Sequence, residues 1–402
     1  MTDDEFSGEG GLRWLLPEGV EEALPATATR LERLRRELLD LYDSWGYDLA
    51  IPPLIEYLDS LLIGAGHDLE LDTFKLVDQL SGRMMGVRAD MTPQVARIDA
   101  HRLGCAAPTR LCYVGAVVHT RPGSFGGGRS PLQIGAELYG HGGIEADLEV
   151  LELMLTTLER GGIPGRPSLD IGHVGIFRGL ATATGIGGHD EAALFEMLQR
   201  KSAPEIETYL DGLGLSAEQD AMWRALVDLH GGPGVLERAR DLLAPAGDAV
   251  LEALDHLLRL RDALGARHAD LHLNFDLAEL RGYRYHTGVV FAAYLPGEGE
   301  EIARGGRYDG IGAAFGRARP ATGFSTDLRR LAALSESHAR AEFGAIAAPA
   351  GGDRALAERV AELRRVGERV IAMLPGQEGG PEALGCDRKL VQRGDDWIVE
   401  EL

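Results

Sequence analysis

The sequence predicts an α+β fold: an antiparallel sheet flanked by helices, with a helical insertion at about residues 190–267 and a small C-terminal α/β appendage at residues 335–402. Three observations predict it. Strand-like runs follow one another in pairs instead of alternating strictly with helices, which favours an antiparallel sheet over a doubly wound one. Residues 190–267 are rich in leucine and alanine and are broken at Pro204, Gly212-Leu213-Gly214, Gly231-Gly232-Pro233 and Pro245. After Leu334 the texture changes again, to apolar runs at 343–348 and 369–374 around a helical stretch at 354–366. The expected domains are a core over 1–334 and the appendage over 335–402.

The elements follow in order. Leu31, Leu34, Leu38, Leu41, Tyr42 and Trp45 recur at helical spacing, so residues 24–45 form a helix that packs one face on a core and stops at Gly46. A short apolar segment at 48–51 runs into Pro52-Pro53. Residues 73–78 and 83–89 read as strands around the turn residues Ser81-Gly82. Asp90 or Thr92 caps a helix through Arg102, with Pro93 near its first position. Residues 109–118 and 132–139 are strands joined by a glycine-rich loop, and 145–160 is a helix. Further strands are expected at 168–173, 271–275, 289–295 and 321–325.

Composition narrows the function classes. The hydrophobic fraction of 45% supports a substantial core. No apolar run approaches the roughly 20 residues of a membrane span. The opening MTDDEFSGEGG lacks the basic and apolar regions of a signal peptide, so a soluble cytoplasmic protein is expected. Cys105, Cys112 and Cys386 are scattered, with no C-x-x-C and no H-E-x-x-H, so neither a disulfide framework nor a zinc site is expected. No cofactor is implied. The net charge of −22 disfavours a phosphate-rich partner such as tRNA, although a local basic face is compatible with it.

Three glycine-rich clusters could carry chemistry. GSFGGGRS (123–130) lacks the G-K-[ST] ending of a P-loop, and its composition favours a loop over an anion cradle. LRGYRYHTG (280–288) and ARGGRYDGI (303–311) each combine arginine, tyrosine and glycine. Glycine permits close backbone approach and arginine offers a planar fork for a carboxylate or phosphate. The plain alternative is two hairpin turns with solvated arginines.

The order of these clusters is informative. From about residue 15 to 334 the chain resembles histidyl-tRNA synthetase, and hence a class II aminoacyl-tRNA synthetase-like fold. IPPLIEY (51–57) resembles the motif 1 region, which forms a dimer interface. YVGAVVHTRPGSFGGGRSPLQIGAELYG (113–140) resembles motif 2 and its loop. LRGYRYHTG resembles the histidine-specific R-G-L-D-Y-Y signature, GGRYDG (305–310) the next signature, and TGFSTDLRRL (322–331) motif 3.

Departures from that pattern fall on the nucleotide. Where the synthetase has its α-phosphate-binding motif 2 arginine, this chain has His119. Where it has the glutamate that helps place adenine, Arg121 stands. R-P-E-G-T is RADMT (88–92) here, and a motif 3 glycine against which ATP packs is Asp327. A carboxylate at that position is expected to face the polyanion and repel it. Arg330, matching the invariant motif 3 arginine, is kept.

The amino-acid pocket is better preserved. By resemblance, Asp90, Thr92 and Gln133 surround the histidine α-amino group and Glu137 meets the imidazole, while Arg281 and Tyr308 complete the pocket. One signature tyrosine is His286.

This pattern, with RADMTPQVAR, L-R-G-Y-x-Y-x-T-G and G-F-S-x-D-L, resembles the regulatory subunit of short-form ATP phosphoribosyltransferase, a synthetase paralogue without aminoacylation activity. The resemblance implies a non-catalytic partner of a separate catalytic subunit, in a hetero-octamer of four plus four chains. It further implies activation of the first step of histidine synthesis, histidine as feedback effector, self-dimerisation through motif 1, and no tRNA. The alternatives are a working histidyl-tRNA synthetase and a free-standing histidine sensor.

Overall fold

The computed structural model describes residues 15–63, 67–122, 128–280, 282–283, 285–335, 344–351 and 354–402. The chain divides into two compact units, Met1–His338 and Ala339–Leu402.

A nine-stranded sheet organises the first unit. Its strands lie in the order Asp48–Leu49, Thr109–Ala116, Leu132–Tyr139, Ala321–Asp327, Ala303–Arg307, Val289–Tyr294, Ser168–His173, His272–Asp276 and His230–Gly231. The six strands from Thr109–Ala116 to Ser168–His173 are antiparallel, as expected. Parallel pairs extend them on both sides, Asp48–Leu49 on Thr109–Ala116 and His272–Asp276 on Ser168–His173.

Strand alternation gives the sheet two different faces. On Leu132–Tyr139, Ile134, Ala136 and Leu138 join the main core, where the helices Pro25–Ser44, Ile144–Arg160 and Asp248–Arg267 pack. Gln133, Gly135, Glu137 and Tyr139 therefore project from the opposite face. There a smaller cluster of Met91, Val95, Tyr113, Tyr139, Tyr308 and Ile311 surrounds the helix Thr92–Arg97. That helix has proline in its first turn, and continues as a π-helical stretch, Ile98–Leu103, ended by Gly104 in the left-handed region.

The helical region is longer than the sequence predicts. It begins with Val174–Thr184 and continues through His189–Gln199, Ala203–Asp211, Ala217–Asp228, Val235–Leu243 and Asp248–Arg267. ARGGRYDGI also differs from the hairpin-turn alternative. Ala303–Arg307 is a central strand, and Arg307 is buried instead of solvated.

A three-stranded antiparallel sheet, Ile55–Tyr57, Met84–Val87 and Phe74–Val77, lies beside motif 1. It and the preceding segment expose Ile51, Leu54, Ile55, Val77 and Leu80; Leu80 is 99% accessible.

The second unit is a four-stranded sheet in the order Val370–Ala372, Ala345–Ala348, Cys386–Arg393, Asp396–Glu401. The helix Arg354–Arg365 buries Leu356, Val360 and Leu363 with Ile346 and Leu390. Two strands and the helix are those predicted. The last two strands, an antiparallel pair, are additional.

Candidate ligand site

A cavity of about 640 Å³ opens on the face of the sheet opposite the main core. Asp90, Thr92, Glu137 and Tyr308 all line it. Glu137 is the centre of the polar network and is 1% exposed. Its Oε1 accepts from Tyr113 OH at 2.9 Å and from Thr92 Oγ1 at 3.1 Å, and Tyr308 OH donates to its Oε2.

The backbone explains how a glutamate fits there. Gly323 faces Glu137 across the strand pair, and any Cβ on Gly323 would collide with the carboxylate. Gly135 faces Tyr113, where a Cβ would stand 2.6 Å from the phenol oxygen. Two glycines thus let a carboxylate and a phenol lie along the sheet and meet.

Burial pushes the Glu137 carboxyl up to about 8, and the nearby Asp90 adds to the rise. Hydrogen bonds from Tyr308, Tyr113 and Thr92 oppose this without cancelling it. The stabilisation of its neutral form is complete below the ordinary carboxylate range and is lost as pH rises through about 8. A ligand that donates an N–H or carries positive charge shifts this balance toward the anion.

Gln133 takes an indirect position. Its Nε2 donates to Asp90 Oδ1 at 2.7 Å, and its Oε1 accepts from the Met91 amide at 2.9 Å. It is not among the lining residues, so it orients Asp90 from behind. Asp90 Oδ1 also accepts from the Thr92 amide at 3.1 Å; the N-cap of the helix Thr92–Arg97 is nevertheless Met91, with no side-chain cap, and not Asp90 or Thr92 as expected. Arg281 lies outside the described residues.

Some of the site was not singled out from sequence. Tyr113 is buried and donates to Glu137. Tyr285 stacks on Tyr308 with ring centres 5.0 Å apart. His286, which replaces a signature tyrosine, packs edge-on to Tyr285 at 5.3 Å, and burial lowers its ring to about 4. It is therefore neutral at physiological pH. One wall comes from the insertion, through Phe195, Glu196 and Gln199.

The electrostatic balance is acidic. Asp72, Asp90, Glu137, Asp170, Glu196 and Glu279 line the cavity, against Arg304 among the described residues. Such a lining favours an ammonium or imidazole group and opposes a polyphosphate.

Of the four positions matched by resemblance to nucleotide contacts, His119, Asp327 and Arg330 are engaged within the fold. His119 Nε2 lies 2.9 Å from the Ala89 carbonyl, so this nitrogen carries a proton and donates to the backbone. Arg121 is exposed. Asp327 is held by backbone amides. Its Oδ1 accepts from Arg329 N at 2.9 Å and Leu132 N at 3.1 Å, capping the helix Leu328–Leu334. Burial raises this carboxyl above its usual range, while those backbone donors oppose the rise. The retained Arg330 donates to Glu300 at 3.1 Å and Glu298 at 3.3 Å, and to the carbonyls of Glu300 and Glu301. None of these four residues lines the cavity.

Comparison with known proteins agrees with this division between core and appendage. Residues 19–331 match the histidyl-tRNA synthetase family model. Residues 343–400 match the model of the ATP phosphoribosyltransferase subunit HisZ C-terminal domain. An ATP phosphoribosyltransferase regulatory subunit of Thioalkalivibrio sulfidiphilus is 58% identical, over 97% of this chain and 99% of that protein. Another, of Alkalilimnicola ehrlichii, is 53% identical over 100% of both.

Among solved structures, a Bacillus halodurans protein described as an ATP phosphoribosyltransferase regulatory subunit/histidyl-tRNA synthetase superposes with a TM-score of 0.81. It is 28% identical and covers 92% of this chain and 95% of its own. A histidyl-tRNA synthetase from Nostoc shares the fold, with a TM-score of 0.74 at 18% identity over 94% of this chain and 91% of its own. A synthetase-like core continuous with the HisZ-type C-terminal domain, at this identity over full length, places the chain in the family of ATP phosphoribosyltransferase regulatory subunits.

Proposed function

We propose that the chain regulates a two-component ATP phosphoribosyltransferase. It activates a separate short catalytic subunit in the first step of histidine synthesis and conveys feedback inhibition by histidine, which it binds in the Glu137 cavity. It carries out neither aminoacylation nor the transferase reaction, and does not take tRNA as a partner. The working assembly is a cytoplasmic hetero-octamer of four regulatory and four catalytic chains.

One observation supports this reading: Asp90, Thr92, Glu137 and Tyr308, all matched to an amino-acid pocket, line one cavity, while His119, Asp327 and Arg330, three of the four positions matched to nucleotide contacts, are engaged by the fold. Asp90 offers an acceptor for an ammonium and Glu137 one for an imidazole N–H. The deciding experiment is a transferase assay on the catalytic subunit with and without this chain, each with and without histidine. Activation that histidine reverses supports the reading; a catalytic subunit indifferent to this chain refutes it. Recovery of this chain alone from native cytosol, without a transferase subunit, favours the free-standing sensor.

The purified chain is expected to show no histidine-dependent exchange of pyrophosphate into ATP and no charging of tRNA. Loss of one preorganised donor to a charge-developing group typically costs about 10²–10³ in rate, and here His119 replaces the arginine while Arg330 is engaged by glutamates. Robust exchange makes the chain a synthetase and refutes the assignment.

Self-association through motif 1 is the second expectation. The apolar side chains exposed around residues 51–57 and on the hairpin 74–87 form the kind of surface that a two-fold interface buries. Light scattering at micromolar concentration is expected to give a dimer, and Ile51→Asp together with Ile55→Asp a monomer. A monomeric parent chain contradicts this.

A further inference from the structure

The cavity wall supplied by the insertion is held to the pocket by a specific contact. Tyr283, in the loop between the strands His272–Asp276 and Val289–Tyr294, donates its hydroxyl to Glu191 Oε1 at 2.6 Å. Glu191 lies on the insertion helix His189–Gln199. The Tyr283 ring packs against Phe195 of the same helix and against Phe177, each at 5.1 Å between ring centres. Arg178 stands over that ring at 4.7 Å and donates to the Tyr283 carbonyl at 2.6 Å. Nearby, Lys201, just past the helix, pairs with Asp276 at 2.5 Å. The loop is therefore bound to helical-region side chains on both sides of its first turn.

The same loop continues into the ligand site. The amides of Tyr285 and His286 donate to the Gly282 carbonyl at 2.7 and 2.8 Å, folding the turn tightly. Gly282 has a φ of +65°, in the left-handed region, and a Cβ there would meet the His286 ring. Tyr285 then stacks on Tyr308, whose hydroxyl meets Glu137. Contacts run from Glu191 to Tyr283 and from Tyr285 through Tyr308 to Glu137, and the two sets are joined by the loop's own backbone. In the R-G-L-D-Y-Y signature Tyr283 occupies the leucine position, and a leucine has no hydroxyl to offer Glu191.

We infer that Tyr283 and Glu191 are a positioning pair that makes the insertion helix part of the histidine site, holding Tyr285 against Tyr308 in the form that binds ligand. This rests on the reading that histidine occupies the Glu137 cavity. Tyr283 lines the cavity beside Tyr285, whereas Glu191 does not, so Glu191 acts on the site through Tyr283 and the loop that carries Tyr285. Ligand binding and the placement of the insertion helix are then one equilibrium: whatever moves the helix changes histidine affinity, and histidine resists that movement in return.

The test is calorimetric titration of the full 402-residue chain with L-histidine. Tyr283→Phe keeps the ring contacts and removes the hydroxyl; Glu191→Ala removes its acceptor. Each is expected to weaken binding by about tenfold, the scale of one hydrogen bond to a charged group. The double variant is expected to be no weaker than either single one, because both cut the same link. Glu191→Gln retains a carbonyl acceptor and is expected to restore most of the affinity, which a merely structural loss does not explain.

Unchanged histidine affinity in Tyr283→Phe and Glu191→Ala overturns the inference, whatever happens to their unfolding temperatures. If Tyr283→Phe fails to fold, Glu191→Ala makes the same cut from a helix facing solvent on its other side. Glu137→Ala, titrated in parallel, separates the two levels. Loss of binding there with unaltered binding in the Tyr283 and Glu191 variants removes only the positioning pair. Binding unaltered by Glu137→Ala, or absent from the parent chain, removes the pocket reading and the pair with it.

Discussion

Replacing Glu137 with alanine is expected to make the activated transferase resistant to histidine, raising the inhibitory concentration about tenfold or more. The carboxylate is buried, and three hydroxyls from three different segments converge on it. A ligand N–H that reaches this group makes a charge-assisted contact away from water, worth roughly 1.5–3 kcal/mol. Histidine can regulate only through such a difference in affinity between two states of the complex. Because the free carboxyl titrates near 8, a ligand that favours its anion releases a proton on binding. Inhibition should therefore strengthen between pH 6.5 and 8. Arg281→Ala, at the position matched to a carboxylate partner, is expected to give the same resistance as Glu137→Ala. The measurement is histidine inhibition of the assembled complex, each variant scaled to its own rate without histidine. If both variants assemble and remain fully sensitive, the cavity is inherited scaffolding and the inhibitor binds elsewhere.

How much of this was legible in sequence depends on how local each signal is. Leu132–Tyr139 and Ser168–His173 match their predicted bounds because β-rich runs are framed there by turn residues. Ala303–Arg307 did not read as a strand, because Gly305 and Gly306 carry no side-chain pattern. Their selection is tertiary: a Cβ on Gly305 would meet the Phe291 ring, and one on Gly306 the His286 ring at 2.9 Å. The strand Cys386–Arg393 was hidden by its charged residues, which its antiparallel partner Asp396–Glu401 complements through contacts such as Arg393 with Glu400. In the site, Asp90, Thr92, Glu137 and Tyr308 were reachable because they sit in ordered motifs. Tyr113 was not, since its role appears only when Gly135 is placed beside it. Phe195, Glu196 and Gln199 lie in a leucine-rich helix whose pattern announces packing alone. Resemblance matches Asp327 and Arg330 to nucleotide contacts; only the fold shows that one caps a helix and the other is held by glutamates.

The largest loss of stability is expected from Arg307→Ala. Arg307 occupies the strand position before Tyr308, so it projects from the opposite face of the sheet. It is 5% exposed and meets Asp147, itself fully buried, through Nη2 at 2.9 Å and Nε at 3.1 Å. It also donates to the carbonyls of His141 and Gly143. Asp147 has a second neighbour in His256 Nε2 at 3.0 Å, from the helix Asp248–Arg267. The arginine thus joins a central strand to the start of the helix Ile144–Arg160, and Asp147 joins that helix to the last of the helical region. Removing one partner of a buried pair typically costs about 3–5 kcal/mol, because the remaining charge has neither water nor counter-ion. Urea unfolding of the first unit should register the loss as a lower midpoint at unchanged slope. Replacing both partners, Arg307→Met with Asp147→Leu, should recover part of it, since no lone charge is left. A cost below about 1 kcal/mol for Arg307→Ala contradicts this account. The same substitution should reach the ligand site, because the backbone that carries Tyr308 toward Glu137 is anchored from behind by Arg307. Histidine affinity should then fall along with stability, whereas Tyr283→Phe is expected to lower affinity with little change in the unfolding midpoint.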